Sequence, residues 1–267
     1  MMRLCLFFIL LFQILSTCAQ SFTRFSVSGS VHGSVTGCIN TSSSNQLVSG
    51  NQTYAAYVDS AGALESPRVS FGAAVWGHKF ITKRWGIQAG LAYEDVGFNR
   101  KQSNIQYLDP LYPGMGKGKL LELSSGAGEK SVIYSYRYQY LQVPVLVHYE
   151  VFSSKDFYYK ISLTGGMGFN FLLKHQMTAK LDQFVVDGES QFQFDSTGYN
   201  ARFFTMNFMI GARSEYRFDK KTIVYAMPVV GLYPISVSSG ALHSYPYYFQ
   251  VILGVQYALT FSDDRGR

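Results

Sequence analysis

Tyr245-Pro246-Tyr247-Tyr248-Phe249-Gln250-Val251-Ile252-Leu253-Gly254-Val255-Gln256-Tyr257-Ala258-Leu259-Thr260-Phe261 carries the pattern from which the fold follows. Its odd positions read Tyr245, Tyr247, Phe249, Val251, Leu253, Val255, Tyr257, Leu259 and Phe261. Apolar or aromatic residues in strict period two describe a β-strand with one continuous greasy face. The even positions between them are mostly small or polar. Strands on a water-soluble core average about five or six residues, so this face is too long to be covered by such a core. Aromatic residues gather at both ends with aliphatic ones between, as expected of a strand whose outer face crosses hydrocarbon between two interfaces.

Working upstream, the same alternation recurs. Trp85, Ile87, Ala89, Leu91 and Tyr93 alternate with Gly86, Gln88, Gly90, Ala92 and Glu94. Tyr159, Ile161, Leu163, Gly165, Met167, Phe169 and Phe171 form a second greasy face, and Phe204, Met206, Phe208, Ile210 and Ala212 a third. Phe25, Val27 and Val31 alternate with Ser26, Ser28, Ser30 and His32, and Val69, Phe71, Ala73 and Val75 give a shorter run. Around 131–151 the alternation continues without a clear phase, and 222–235 is apolar on both faces, so its outward side stays open. Eight strands are thus expected near 22–35, 67–81, 85–99, 131–151, 157–174, 201–218, 222–235 and 244–261.

The connections are unequal. Ile81-Thr82-Lys83-Arg84, Ser153-Ser154-Lys155-Asp156 and Asp219-Lys220-Lys221 are tight polar turns. They alternate with long Gly/Ser/Asn-containing loops at 36–66, 100–130 and 175–200 and a shorter one at 236–243. Short turns at one end and long loops at the other are the asymmetry of outer-membrane barrels, with turns in the periplasm and loops outside the cell. The expected fold is all-β: an eight-stranded antiparallel up-and-down transmembrane β-barrel with both termini periplasmic. On the final strand, Leu253 is expected to face lipid and Gln256 the lumen, where an added arginine should cost much less than at Leu253 if the lumen can pair its charge.

Composition agrees with lipid exposure. Aromatic residues make up 16% of the 267, with 20 Tyr and 21 Phe, whereas charged residues are only 15%, against about 25% in soluble domains. Beyond the leader no segment approaches the roughly 18 apolar residues of a membrane helix, and a closed barrel is the other structure that satisfies its backbone in lipid. Met1-Met2-Arg3, an apolar Leu4–Leu15 stretch and Thr17-Cys18-Ala19 read as a signal peptide over 1–19, leaving the barrel domain at 20–267. Read instead as a lipobox, Leu15-Ser16-Thr17-Cys18 would make Cys18 an acylation site, which the Thr before it fits poorly. With Cys5 and Cys18 in the leader, Cys38 is left as a single thiol that cannot close an internal disulfide. The formal net charge of +6 is spread without a Lys/Arg run, so no nucleic-acid partner is expected.

Tyr140-Leu141-Gln142-Val143-Pro144-Val145-Leu146-Val147-His148-Tyr149 resembles the Tyr-Leu-x-Ile/Val-Pro-Leu-Leu-x-x-Tyr strand of the PorT-like outer-membrane β-barrel family of Bacteroidota. The leader ending in Ala19-Gln20, the Gly-rich Leu163–Gly168 run and the aromatic-ended last strand are similar to that family as well. The resemblance spans the mature chain, but the Pro144 strand is its specific motif. It implies a small eight-stranded barrel without catalytic residues, and it points to an accessory role in protein secretion as one alternative. Pro144 lacks a ladder donor and is expected at a bulge or bend.

Candidate chemistry lies at polar positions. Barrel enzymes that modify lipid A use His with Ser and an acid, so His32, His78, His148, His175 and His243 are the candidates for such a set. His32 and Ser34 share a strand face and His243-Ser244 lies at a strand mouth, yet spacing supplies no acid. Arg213, Glu215 and Arg217 share a face, as do His148 and Glu150, and hairpin counting around Lys155 puts Glu150 roughly opposite Lys160. An eight-stranded lumen is only wide enough to be filled by side chains, so a charge network is expected there rather than a pore. Gly114–Lys119 lacks the spacing and helix of a phosphate loop. Asp182, Asp187, Glu189 and Asp195 lack EF-hand spacing. Asp59-Ser60-Ala61 and Asp195-Ser196-Thr197 resemble an O-glycosylation triplet. No catalytic, cofactor-binding or metal site is expected. The expected partners are outer-membrane lipid, lipopolysaccharide and envelope proteins, through a closed-lumen, non-enzymatic barrel.

Overall fold

Alternation fixes which side chains share a face, but hydrogen bonds decide which strands are neighbours. A computed structural model describes residues 25–42, 47–49, 52–53, 65–82, 84–103, 131–154, 158–182, 191–194, 200–219, 221–239 and 242–259. Eight long strands run in order: β1 (Phe25–Ser42), β2 (Glu65–Phe80), β3 (Trp85–Ser103), β4 (Ser131–Ser153), β5 (Tyr159–Asp182), β6 (Phe204–Arg217), β7 (Thr222–Leu232) and β8 (Leu242–Ala258). Each pairs antiparallel with the next, and β8 pairs back onto β1 from Ser26 against Ala258 to Ser42 against Leu242. The sheet therefore closes into an up-and-down ring without an edge.

The faces follow the alternation. On β8 the odd residues from Tyr247 to Leu259 are exposed on the outer wall, Leu253 at 54%, while Tyr248, Gln250, Ile252 and Gln256 are buried. The two strands of unassigned phase settle as well. On β4 the even positions from Tyr134 to His148 point inward, and on β7 Tyr225, Met227 and Val229 do so while Val224, Val230 and Leu232 face out.

Strands β1, β3, β4 and β5 run further than expected, and loops assigned at 36–66, 100–130 and 175–200 begin later. Ladders continue past the apolar band because the outer wall there meets water, where alternation is no longer required but backbone pairing still is. Loop residues Gln191–Phe194 pair with Met177–Lys180, and Ser238–Ser239 with Asn200–Ala201. Three short turns join β2 to β3, β4 to β5 and β6 to β7, and both Phe25 and Ala258 lie at that same end. In the last turn, Asp219 Oδ1 accepts the backbone N–H groups of Lys221 (2.6 Å) and Thr222 (2.7 Å), which hold its carboxyl below the ordinary carboxylate range. That capping is present at neutral pH and is lost as acid protonates the carboxyl through its lowered value.

Pro144 sits at no bulge. The β3–β4 pairing stops at Ala89–Val145, skips Pro144 and Val143, and resumes in the same register at Ala92–Gln142. The missing donor is absorbed as a gap in one ladder, while the other edge pairs Pro144 with Gly168. Pro228 does the same, in an interruption between Gly211–Val229 and Ser214–Ala226. Gln256 faces the lumen, as expected. Its Oε1 accepts from Arg213 Nη2, so an arginine there would set two guanidiniums together.

Ile252 and Leu253 test which face meets lipid. Ile252→Ala leaves an internal cavity and should destabilise by about 2–5 kcal/mol, whereas Leu253→Ala opens space that lipid refills. Leu253→Arg should cost roughly 2–4 kcal/mol if Leu253 lies near the bilayer midplane. Denaturant unfolding in lipid vesicles measures all three, and a larger loss for Leu253→Ala than for Ile252→Ala would reverse the assignment.

Candidate functional site

Inward side chains from all eight strands meet in the lumen, and they do so in layers. Nearest the short turns, Arg213 on β6 is the centre. Its Nη1 donates to Gln88 Oε1 (3.0 Å) and lies 3.4 Å from His78 Nδ1, and its Nη2 donates to Gln256 Oε1. Arg213 Nε stands 2.6 Å from Glu215 Oε1, and the guanidinium lies over the Tyr225 ring at 3.9 Å. A guanidinium with five fixed donors suits such a hub. Since His78 Nδ1 faces a donor it acts as acceptor, which leaves Nε2–H to donate to Ser28 Oγ at 2.9 Å. His148 Nε2 donates to Gln88 Oε1 (2.6 Å), and its Nδ1 accepts from Thr164 Oγ1 (2.6 Å).

Above this layer, Gln142, Asn170 and Asn207 form an amide cluster. Gln142 Nε2 donates to Asn170 Oδ1 (2.9 Å) and Asn207 Oδ1 (3.0 Å), and Asn207 Nδ2 donates to the Tyr248 hydroxyl. His32 Nε2 lies 3.1 Å from Glu94 Oε2. Towards the long loops the lumen turns aromatic: Tyr134, Tyr136, Tyr138, Tyr140 and Tyr233 are buried, and Phe98 stacks on Tyr136 at 4.6 Å. Two glycines make this filling possible by close approach. A Cβ on Gly254 would enter the Tyr225 ring, and one on Gly168 would meet Gln142 and Asn207.

The residues singled out from sequence divide as follows. Arg213 and Glu215 do share the lumen face and pair there. Glu150 and Lys160 form an ion pair at 2.8 Å across the hairpin; in register Lys160 pairs with Ser153 and Glu150 faces Ser162, because the hairpin is centred beyond Lys155. His32 and Ser34 share the inner face, yet Ser34 Oγ donates to Ser70 O rather than to the imidazole. Each buried histidine lacks one member of a Ser-His-acid set. His32 has an acid without a hydroxyl on Nδ1, His78 has a serine with arginine in place of the acid, and His148 has a threonine with an amide in that place. His175 stacks on Tyr138, and His243 stands opposite Thr41. Among the described residues no three His, Cys, Asp or Glu side chains come together as metal ligands. Cys38 is a half-buried free thiol 3.6 Å from Asn40 Oδ1. The candidates at 1–24, 59–61, 114–119, 187, 189 and 195–197 lie outside the described residues, and of Asp182 only the backbone is described.

Sequence reading missed the His32–Glu94 pair. Both residues fall on inward positions of their strands, so face parity was the available signal, but their barrel height required the β1–β2–β3 register.

An edgeless antiparallel ring with a greasy outer wall and a polar, filled interior defines a membrane-embedded β-barrel. The chain matches the model of the "Outer membrane protein beta-barrel domain" over residues 18–235 and belongs to that family. Among solved structures it is similar to Ail, the attachment invasion locus protein of Yersinia pestis (9% identity, covering 88% of this chain and 99% of that one, TM-score 0.35). It is also similar to Neisserial surface protein A (8%, 89% and 99%, TM-score 0.40) and to the outer membrane protease OmpT of Escherichia coli (9%, 89% and 96%, TM-score 0.35). No curated protein matches the sequence.

Removing one partner of the central ion pair tests its role. Arg213→Met leaves Glu215 buried and unpaired, a loss of about 3–5 kcal/mol by comparison with other broken buried pairs. Arg213→Met/Glu215→Gln should recover much of that in the same unfolding assay. A single variant as stable as the wild type would show that Arg213 does not hold Glu215.

Proposed function

We propose that this is a non-enzymatic outer-membrane barrel with a closed lumen that makes its functional contacts through its long loops or as a structural component of an envelope assembly. The observation that carries the reading is the continuous filling of the inner wall from Gln256 and Arg213 to Tyr134, with Arg213 and Glu215 paired rather than lining an aqueous path. The same reading places residues 1–19 as a cleaved signal peptide, the short turns and both termini in the periplasm and the long loops outside. Its immediate surroundings are then outer-membrane lipid and lipopolysaccharide. A second reading, an accessory subunit of a secretion system, is favoured by the Tyr140–Tyr149 strand that resembles the PorT-like family of Bacteroidota. A lipid A-modifying activity ranks below both, since each lumen histidine lacks a triad member.

Purified barrel in a planar bilayer should give no stable single-channel steps, and cell fractionation should recover it as a heat-modifiable outer-membrane protein. Regular conductance steps would open the lumen and defeat the closed reading. Secretion components retained with the barrel in mild detergent would select the second reading, and a changed lipid A acyl pattern in a deletion strain would select an enzyme.

A further inference from the structure

The outer wall of β3, β4 and β5 carries a polar cluster where the apolar band ends. Beyond Leu91, Leu141 and Leu173, the strands align in register as Asp95–Gln139–Lys174, Gly97–Arg137–Gln176, Asn99–Ser135–Thr178 and Lys101–Ile133–Lys180. These side chains follow the outward alternation of strands whose even β3 and β4 positions fill the lumen. Asp95 is nevertheless buried, because two arginines cover it. Arg68 binds it with Nη1 on Oδ1 (2.9 Å) and Nη2 on Oδ2 (3.1 Å), and Arg137 Nε reaches Oδ2 at 2.8 Å. With its amide oxygen turned to these donors, Gln139 accepts from Arg137 Nη2 (3.0 Å) and from the Tyr93 hydroxyl (2.9 Å).

The cluster is unbalanced in charge. Among the described side chains one carboxylate, Asp95, stands against Arg68, Arg137, Lys101, Lys174 and Lys180, and no acid among them pairs with the three lysines; Asp182 takes the next outward position on β5, and only its backbone is described. Lys101, Lys174 and Lys180 are exposed: Lys174 stands beside Gln139, two residues along β4 from Arg137, and Lys101 and Lys180 flank Ile133, four residues along on the other side. Holding Arg137 from behind with Asp95 and Gln139 preorganises its guanidinium instead of neutralising the patch. A cationic tier directly above a lipid-facing wall lies at headgroup depth, where each Lys or Arg attracts anionic lipid.

From this placement we infer that the outer wall of β3–β5 binds the phosphate groups of a phosphorylated glycolipid of the outer leaflet, with Arg137 as the oriented donor and Lys101, Lys174 and Lys180 as the surrounding charges. The inference rests on the membrane orientation proposed above, with the long loops outside. The lipid sits laterally against the barrel, outside the lumen, so its recognition needs no opening of the ring.

The experiment uses the mature protein folded into phosphatidylcholine vesicles with and without a minor fraction of lipid A, and reads the denaturant midpoint. Lipid A should raise the midpoint of the wild type by mass action on the folded state. Lys101→Gln/Lys174→Gln/Lys180→Gln should lose the shift, since about fivefold in affinity per lysine near an anionic lipid surface amounts to roughly a hundredfold for three. Arg137 is left in place because it covers Asp95. The charge-preserving Lys101→Arg/Lys174→Arg/Lys180→Arg should retain the shift, and dephosphorylated lipid A should give none. An equal shift in the Gln variant, a shift with dephosphorylated lipid, or no shift in the wild type overturns the site. Capture of an envelope protein that needs the three lysines, without any lipid A effect, also overturns it in favour of a protein contact. Failure of the wild type to insert into phosphatidylcholine alone would overturn the membrane-barrel reading itself, and this site with it.

Discussion

Closure of β8 onto β1 is the constraint from which the remaining features follow. In hydrocarbon no water satisfies an open sheet edge, so every strand must have two neighbours. Pairing from Ser26–Ala258 to Ser42–Leu242 supplies the last seam. An even number of antiparallel strands then brings Phe25 and Ala258, the outer ends of β1 and β8, to the short-turn side. It also fixes a narrow ring whose interior must be occupied by its own side chains. Sequence choices inside the barrel answer that demand for space. Gly254 gives way to Tyr225 and Gly168 to the amide cluster, while the large side chains come from Arg213 and the inward tyrosines of β4.

Polar filling brings an obligation of its own. A charge enclosed by eight strands is costly without partners, and Arg213 meets this by donating to Gln88 and Gln256, with Glu215 as its counter-charge and the Tyr225 face beneath. The resulting network draws on β2, β3, β6, β7 and β8, so it cross-links the ring through its middle as the ladders link it around the wall. The histidines of this layer act as spacers, His148 between the Thr164 hydroxyl and the Gln88 amide and His78 between the Ser28 hydroxyl and the Arg213 guanidinium. That bonding leaves them without the acid partner a catalytic base requires.

How much of this was legible in the sequence depended on which solvent each face meets. Wherever one face meets lipid and the other the lumen, period-two alternation revealed the strand, as on β8, β3 and β6. On β7 it failed because Met227 and Val229 fill the lumen with apolar side chains, so both faces look alike. Strand ends were misjudged for a related reason: alternation records the thickness of the apolar band, whereas ladders at Thr36–Ser42 and Met177–Asp182 run on above it. Contacts that depend on register between three strands, such as His32–Glu94 or Arg68–Asp95–Arg137, leave no mark on a single strand's pattern. Pro144 misled for a subtler reason. A missing donor can be met by skipping rungs on one edge of the strand as well as by a bulge.

The seams between strands are unequal in length, and that gives the wall a grain. β4 and β5 are paired from Ser131–Asp182 down to Ser153–Lys160, while β6 and β7 meet only from Phe208–Leu232 to Arg217–Ile223, with rungs missing beside Pro228. A cylinder stitched so unevenly is stiff along one side and compliant along the other. Lateral pressure from a neighbouring molecule or a curved bilayer would therefore deform it in a set direction, flexing the β6–β7 side while β3–β5 moves as a rigid plate.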